Sequence, residues 1–177
     1  MASQRITAKI RKAVSERAHF CCEYCWSQES FATQSFSIEH ILSKYHGGDS
    51  DLNNLALACQ GCNGHKHIKR QGLDPATGET ARLFHPRQDR WQEHFTWNDD
   101  FSVMIGLTDI SRATIAEFKI NRQGLVNLRQ ALYLLGNHPP KAMLDRLWYM
   151  SHKRSGRWGW FVLVCASWFI VLIQSFV

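Results

Sequence analysis

The N-terminal pattern is that of an amphipathic helix. Apolar residues recur every four positions, at Ile6, Ile10, Val14 and Ala18. The other faces carry cations, at Arg5, Lys9, Arg11, Lys12 and Arg17. This spacing predicts a basic helix from Thr7 to Ala18. A basic face on a single helix is most often a solvated surface, so the helix alone does not identify a partner.

Strand-like alternation follows in "FSIEHI", which brings Glu39 and His40 to the C-terminal end of a predicted strand on opposite faces. The glycines and asparagines of "HGGDSDLNN" predict a turn, and "LALAC" predicts a second short strand. From Gln60 to about Arg70 we expect a helix. On that helix Asn63 and His67 are four residues apart and would share a face.

The remaining pattern predicts a small α+β extension. "GLDPATGE" predicts a turn, "FSVMIGL" a strand, and the stretch from about Ser111 to Ile120 a helix. A further helix is indicated by leucines at spacings of three and four, namely Leu125, Leu128, Leu132 and Leu135. Asn121 is expected to cap its start, and Gly136 to end it.

Composition is that of a folded protein with a basic surface. The chain has 177 residues, of which 45% are hydrophobic, so it is long enough for one or two modest domains and is not a disordered sequence. The formal net charge is +6, and every charged residue precedes Trp158. This charge fits a polyanionic partner without proving one. No sequence feature indicates an oligomeric state.

Five of the six cysteines lie in two short stretches, at Cys21, Cys22, Cys25, Cys59 and Cys62. No N-terminal run has the basic start, apolar middle and small-residue cleavage site of a secretion signal, so we expect a cytoplasmic, reducing location. The paired C-x-x-C units Cys22/Cys25 and Cys59/Cys62 predict a tetrahedral zinc site with no open position, which is a structural site. Cys21 is an extra thiol, which leaves a shifted register of the first pair open as an alternative.

The C-terminal twenty residues, 158–177, contain no charge and follow Lys153, Arg154 and Arg157. Their length and flanking charges meet the criteria for a membrane span with the body on the cytoplasmic side. A buried hydrophobic segment and an aberrant C-terminus are the alternative interpretations. The membrane is therefore a second candidate partner, through this tail.

The segments "IEHI", "GGDSDLNNL" and "CQGCNGHKH" follow one another in this order along the chain. Together they resemble the HNH endonuclease family, over about Cys22 to Lys69. The resemblance implies a ββα-metal motif clamped by a four-cysteine zinc site, within an α+β fold. It also implies an endonuclease that hydrolyses DNA with one divalent ion, Mg²⁺ or Mn²⁺. The segment "LFHPRQDRWQEHFTW" is similar to an extension found in a subset of bacterial members.

The resemblance assigns a role to each polar residue of the motif. His40 would be the general base that takes a proton from water. Glu39, Asn63 and His67 would hold the divalent ion, with His65 a weaker alternative to His67. Asn54 would brace the loop and orient His40, although the neighbouring Asn53 leaves the register of that assignment open.

Cations around the motif would contact phosphates, with salt-dependent and poorly sequence-specific binding. They are Lys66, Lys69 and Arg70 beside the second cysteine pair, and Lys9, Arg11 and Lys12 on the first helix. Trp91, Phe95 and Trp97 fit a packed core better than a nucleic-acid contact. The expected organisation is a basic helix (1–20), an HNH domain (21–70), an α+β extension (71–140), a basic linker (141–157) and a hydrophobic tail (158–177).

Two hypotheses of different classes follow. The first is a metal-dependent DNA endonuclease in which His40 activates water. The second is a zinc-stabilised nucleic-acid-binding module that shares the scaffold but has no catalytic activity. A third hypothesis gives the hydrophobic tail the main role, as a membrane anchor.

Overall fold

The computed structural model describes residues 5–144 of the chain. Its helices are α1 (Ala8–Arg17), α2 (Gln60–Lys66), α3 (Trp91–His94), α4 (Asp109–Glu117) and α5 (Gln123–Leu134). Its strands are β1 (Ser37–His40), β2 (Leu55–Ala58), β3 (Gln71–Leu73), β4 (Thr80–Arg82), β5 (Phe95–Trp97) and β6 (Met104–Gly106). Within residues 5–144 the strands form three antiparallel pairs, β1 with β2, β3 with β4 and β5 with β6. The predicted combination of helices and small sheets is confirmed.

Helix α1 begins and ends as its sequence predicts. The Thr7 hydroxyl accepts a hydrogen bond from the backbone N–H of Ile10 (3.3 Å), which satisfies one of the free donors of the first turn. Val14 and Ala18, on the predicted apolar face, are buried, and the helix packs on β2. Arg5, Lys9, Arg11 and Lys12 are exposed, whereas Arg17 is half-buried and donates to the carbonyls of Leu52 (2.8 Å) and Leu55 (2.6 Å).

Two strands and a helix position the residues of the motif. They are β1, β2 and α2, which follows β2. Ser37 pairs with Ala58 and His40 with Leu55 at the two ends of the antiparallel ladder. All of β2 is buried, which explains why "LALA" is continuously apolar rather than alternating. Helix α2 begins directly after Cys59, within one residue of the end of β2.

The expected extent of α2 to about Arg70 is wrong, because the helix ends at Lys66. His67 has φ 48° and ψ −121°, outside the helical region, and the chain then turns to enter β3. The predicted turn in "GLDPATGE" is present, but its first residues, Gly72 and Leu73, belong to β3, which pairs with β4 across it.

Aromatic rings form the core of the extension. Trp91 stacks on Phe95 with ring centroids 5.5 Å apart, and Phe84 meets Phe95 edge-on at 5.0 Å. Rings also connect the extension to the first cysteine pair, because Trp26 lies 6.3 Å from Trp91 and Tyr24 lies 4.9 Å from Phe118. Trp91 and Phe95 are buried, as expected for core residues.

Helix α5 keeps some of its predicted features and loses others. Leu125 and Leu132 are buried, and Gly136 (φ 69°) follows the end of the helix, as predicted. The prediction that Asn121 caps the helix is wrong. Its side chain instead bonds to the backbone N–H and C=O of Met104 in β6 (2.9 and 2.8 Å), and Arg122 occupies the N-cap position. Leu135 is 72% exposed, because it lies past the last helical turn.

The hydrophobic tail at 158–177 and most of the predicted linker lie outside the described residues. Within residues 5–144, no helix has both the length and the apolar character that crossing a membrane requires. The predicted localisation stays an expectation.

Candidate functional site

Two cysteine pairs meet beneath the β1–β2 pair. Cys22 and Cys25 come from the loop after α1, whereas Cys59 is the N-cap of α2 and Cys62 lies in its first turn. All four side chains are buried, and their four sulfur atoms lie within 4.8 Å of one another. The Cys59 sulfur also accepts a hydrogen bond from the backbone N–H of Cys62 (3.4 Å).

The cysteine cluster has the dimensions of a zinc tetrahedron. With Zn–S bonds of about 2.3 Å, neighbouring sulfurs of a tetrahedral site are separated by roughly 3.8 Å. The sulfurs of Cys25 and Cys59 are 3.7 Å apart, which is far too long for a disulfide. The predicted metal site is therefore confirmed as a four-cysteine cluster compatible with zinc. Cys21 stays outside it, with its thiol directed to the carbonyl of His19 (3.4 Å).

The Glu39 carboxylate faces the protein interior. Its side chain is 4% exposed, and it accepts a hydrogen bond of 2.6 Å from the hydroxyl of Tyr24. It also forms an ion pair with the ammonium of Lys66, which reaches it from the last turn of α2. Lys66 is equally buried and donates a further hydrogen bond to the carbonyl of His40 (3.0 Å). The ion pair therefore joins the end of β1 to the end of α2.

His40 lies on the opposite face of β1 and is half-buried. Its Nε2 is 3.0 Å from the Ser50 hydroxyl, across the loop that connects β1 to β2. Burial lowers the pKa of His40, the charges of Lys44 and Lys66 lower it further, and Asp49 opposes them. The lowered pKa favours the neutral imidazole at neutral pH, which is the form that accepts a proton.

Asn54 connects the two ends of the loop between β1 and β2. Its side-chain oxygen accepts from the backbone N–H of Leu42 (2.8 Å), and its Nδ2 donates to the carbonyls of Leu42 (3.0 Å) and Asp49 (2.8 Å). Gly48 lies against the same place, since a Cβ there would be 1.8 Å from the Leu42 oxygen. The Gly-Gly turn thus has a packing reason in addition to its conformational one, which is the φ of 82° at Gly47.

Asn63 and His67 do not share a helical face as expected. Asn63 is half-buried within α2, whereas His67 is exposed and has left the helix. Among the residues the structure describes, the four cysteines are the one group of three or more His, Cys, Asp or Glu side chains whose ligand atoms lie within metal-binding reach. The cation on Glu39 is Lys66, and the assignment of Glu39, Asn63 and His67 as ligands of a divalent ion stays a prediction.

The cations predicted to bind phosphate have different environments. Lys9 and Arg70 are exposed, whereas Lys66 is buried in its ion pair with Glu39. Lys69 pairs with Glu117 (2.5 Å), and Lys12 lies 3.8 Å from Glu16. Arg11 is exposed but donates to the carbonyl of Phe36 (3.0 Å). Their contacts with nucleic acid stay predictions.

Several residues of this region were not indicated by the sequence. Tyr24, between Cys22 and Cys25, donates to Glu39. Ser50, in the loop between β1 and β2, lies within hydrogen-bond distance of His40. Arg122 and Arg129 of the extension reach the cysteine cluster from far along the chain. The position of Tyr24 inside the first C-x-x-C unit was an available signal, whereas the two arginines depend on long-range packing that periodicity does not report.

Comparison with known proteins identifies the region that carries this geometry. Residues 22–69 match the family model described as HNH endonuclease. The match begins at the first cysteine of the cluster and ends just past α2, so it contains β1, β2, α2 and all four cysteines. Neither the curated proteins nor the solved structures include a match to the chain.

Proposed function

We propose that the protein is a metal-dependent HNH endonuclease that hydrolyses DNA phosphodiester bonds. The observation that carries the proposal is the position of His40, a half-buried imidazole with a lowered pKa at the end of β1, inside the region that matches the family model. In this proposal β1, β2 and α2 constitute the ββα-metal motif, and the cysteine cluster binds structural zinc.

His40 is the proposed general base. The neutral imidazole takes a proton from a water molecule, which then attacks the phosphorus atom of the phosphodiester. Asn54 keeps the β1–β2 loop in one conformation through its three backbone hydrogen bonds, and Ser50 on the same loop holds the Nε2 side of the ring. The orientation of the base is thereby fixed before substrate binds.

The proposed catalytic ion is Mg²⁺ or Mn²⁺, with Glu39, Asn63 and His67 as its ligands. Such an ion would stabilise the negative charge that develops on the phosphate and on the leaving oxygen. For Glu39 to take this role, Lys66 has to leave the carboxylate, since the two side chains now form a buried ion pair. The same displacement would free Lys66 for the phosphate contact predicted from the sequence.

Cleavage of supercoiled plasmid tests the proposal. The full-length protein is incubated with Mg²⁺, Mn²⁺ or EDTA, beside His40→Ala and the matched control His46→Ala, which removes an exposed histidine of the same loop. We expect ion-dependent nicking or linearisation that falls by about 10²- to 10⁴-fold in His40→Ala and persists in His46→Ala. Cleavage by His40→Ala at the parent rate would exclude His40 as the base.

The second candidate function is a nucleic-acid-binding module without catalytic activity. The ion pair of Glu39 with Lys66 favours it, because the carboxylate that would hold a catalytic ion already has a cation. This candidate predicts no cleavage with any ion, together with zinc content and DNA affinity that do not change in His40→Ala. Cleavage distinguishes the two functions, while zinc content and salt-dependent DNA binding on the same preparations show that an inactive protein is folded and binds DNA.

A further inference from the structure

Helix α5 presents two arginines to the cysteine cluster. Arg122 is the N-cap residue of the helix, and Arg129 follows about two helical turns later. Arg122 Nη2 donates to the sulfur of Cys59 (3.6 Å), and Arg129 Nη2 donates to the carbonyl of Cys25 (3.0 Å). Each cysteine pair is therefore contacted by one guanidinium.

Arg129 is a buried charge with neutral direct partners. It is 2% exposed, its Nη1 donates to the carbonyl of Ser102 (3.1 Å) and to the amide oxygen of Asn121 (3.4 Å), and its guanidinium lies 4.8 Å from the centre of the Trp97 ring. These partners supply hydrogen bonds and a cation–π contact, but no full negative charge. A guanidinium stays protonated when buried, so its charge requires compensation nearby.

The metal-loaded cysteine cluster supplies that compensation. Four thiolates around one Zn²⁺ carry two net negative charges in a closed site. Two guanidinium groups beside the cluster carry two positive charges. The charge of the metal site is thus balanced only when the first cysteine pair, the second pair and α5 are together.

The backbone near Cys59 has room for Arg122 because residue 61 is a glycine. A Cβ on Gly61 would lie 2.4 Å from Nη2 of Arg122 and 2.5 Å from its Cζ. Gly61 lies between Cys59 and Cys62, so the guanidinium passes directly over the turn that carries two of the four thiolates. Any side chain at position 61 would force the end of Arg122 away from Cys59.

We propose that the zinc site extends to Arg122 and Arg129, so that zinc binding and docking of α5 are a single event. Arg122 is the donor to a metal-bound sulfur, and Arg129 holds the backbone of the first cysteine pair while balancing its charge. The inference concerns the structural metal and does not depend on nuclease activity. It makes the extension a necessary part of the metal site, although the match to the family model ends at residue 69.

The test uses the full-length protein and the variants Arg122→Met and Arg129→Met, with Arg70→Met as the matched control because Arg70 is exposed. Zinc affinity is measured by competition with a chromogenic chelator. We expect a loss of about 10-fold or more for Arg122→Met and Arg129→Met, in the range typical of outer-shell partners, and none for Arg70→Met. Affinities equal to that of Arg70→Met in both variants would overturn the proposal.

A spectroscopic readout separates an interaction with the metal site from general destabilisation. In the cobalt-substituted protein, loss of the N–H···S bond in Arg122→Met should shift the thiolate-to-cobalt charge-transfer band, and Gly61→Ala should shift it in the same direction with both arginines present. An unchanged band in both variants would contradict the Arg122 contact. Arg122 is half-buried, so Arg122→Met and Gly61→Ala decide the question even if Arg129→Met does not fold.

Hydrogen exchange tests the coupling in the unmodified chain. On removal of zinc with a chelator, amides of α5 should lose protection together with those of residues 22–25 and 59–62. Amides of α5 that stay protected after the metal is gone would show that the helix docks without it, and the proposal would fail.

Discussion

The two halves of the described structure are stabilised in different ways. Residues 21–67 contain two four-residue strands, one seven-residue helix and long irregular connections, which are organised by the cysteine cluster and by buried polar contacts. Residues 71–138 pack around stacked aromatic rings and include the ion pair of the buried Asp74 with Arg112. The first half is therefore organised by its cysteine cluster and by polar side chains, and the second mainly by an apolar core.

Both halves hold ionisable groups in their interiors, and they offset the cost of burial in different ways. Glu39 and Lys66 are both nearly inaccessible, an arrangement whose desolvation cost has to be offset by the surrounding structure. A closed zinc site provides binding energy that is also folding energy, so a region with short elements can tolerate such groups. In the extension, Arg112 offsets the burial of Asp74, and backbone carbonyls and the Trp97 ring surround Arg129.

The largest expected effect comes from breaking the metal site. Cys59→Ser removes one of the four ligands and the acceptor of two hydrogen bonds, from Cys62 and from Arg122. We expect zinc affinity to fall by more than the roughly 100-fold that loss of an outer-shell partner costs. Zinc content after gel filtration and near-ultraviolet circular dichroism measure this change. Stoichiometric zinc retention in Cys59→Ser would contradict the four-thiolate site.

The corresponding test in the extension is Asp74→Asn. Asp74 is fully buried, and Arg112 donates to both of its oxygens (2.8 and 2.7 Å), which holds the pKa of Asp74 well below its usual range. A carboxyl with a lowered pKa stabilises the fold above its unfolded pKa of about 3.9, and that stabilisation is lost as the pH falls through the folded pKa. Asp74→Asn should lower the urea midpoint at pH 7.

The urea midpoint of Asp74→Asn should also change less than that of the parent protein below about pH 4, because the amide does not titrate. The exposed Asp99→Asn is the control, and its urea midpoints should follow those of the parent protein from pH 3 to 7. If Asp74→Asn kept the parent's acid dependence, the ion pair with Arg112 would not be the source of that dependence.

The parts of the fold that sequence predicted are those set by local spacing. The period of α1 and the two C-x-x-C units act over a few residues, so neither needs knowledge of the rest of the chain. The strand in "FSIEHI" was also correct, since alternation over six residues is a local signal. Element ends were less accurate. Helix α2 ends at Lys66 because the chain turns there to enter β3, and no proline near this position signals the end in the sequence.

The parts that sequence did not predict are long-range side-chain pairs. Arg129 lies on the leucine face of α5, four residues after Leu125, but sequence does not indicate its partner, the carbonyl of Cys25, 104 positions away. Lys66 reads as a surface cation next to other basic residues, although its partner is Glu39. Hydrophobic periodicity assigns charged residues to the outside by default, so buried pairs of this kind escape it. The catalytic roles proposed for His40, Asn54 and the ion ligands stay predictions.

Gly48→Ala tests whether the loop between β1 and β2 is as closely packed as the core of the extension. A methyl group at position 48 would overlap the carbonyl oxygen of Leu42, a backbone atom that does not easily move. We expect a loss of about 3 kcal/mol in the free energy of unfolding. Gly64→Ala is the control, because a Cβ there meets nothing within 4 Å and alanine favours α2. Equal stability of the two variants would mean that the loop backbone can move to accommodate a methyl group at position 48.

The smallest effect tests the polar brace itself and resolves the choice between two neighbouring asparagines. Asn54→Ala removes three hydrogen bonds to the backbone of Leu42 and Asp49 and should cost about 1–3 kcal/mol, because the Leu42 N–H loses its acceptor. Asn53 is exposed, so Asn53→Ala should change stability by no more than about 0.5 kcal/mol. Urea denaturation measures both. Because the same loop carries Ser50, the partner of His40, Asn54→Ala should also slow plasmid cleavage more than its stability loss explains, whereas Asn53→Ala should not. A larger stability loss in Asn53→Ala than in Asn54→Ala would mean that Asn53, and not Asn54, braces the loop.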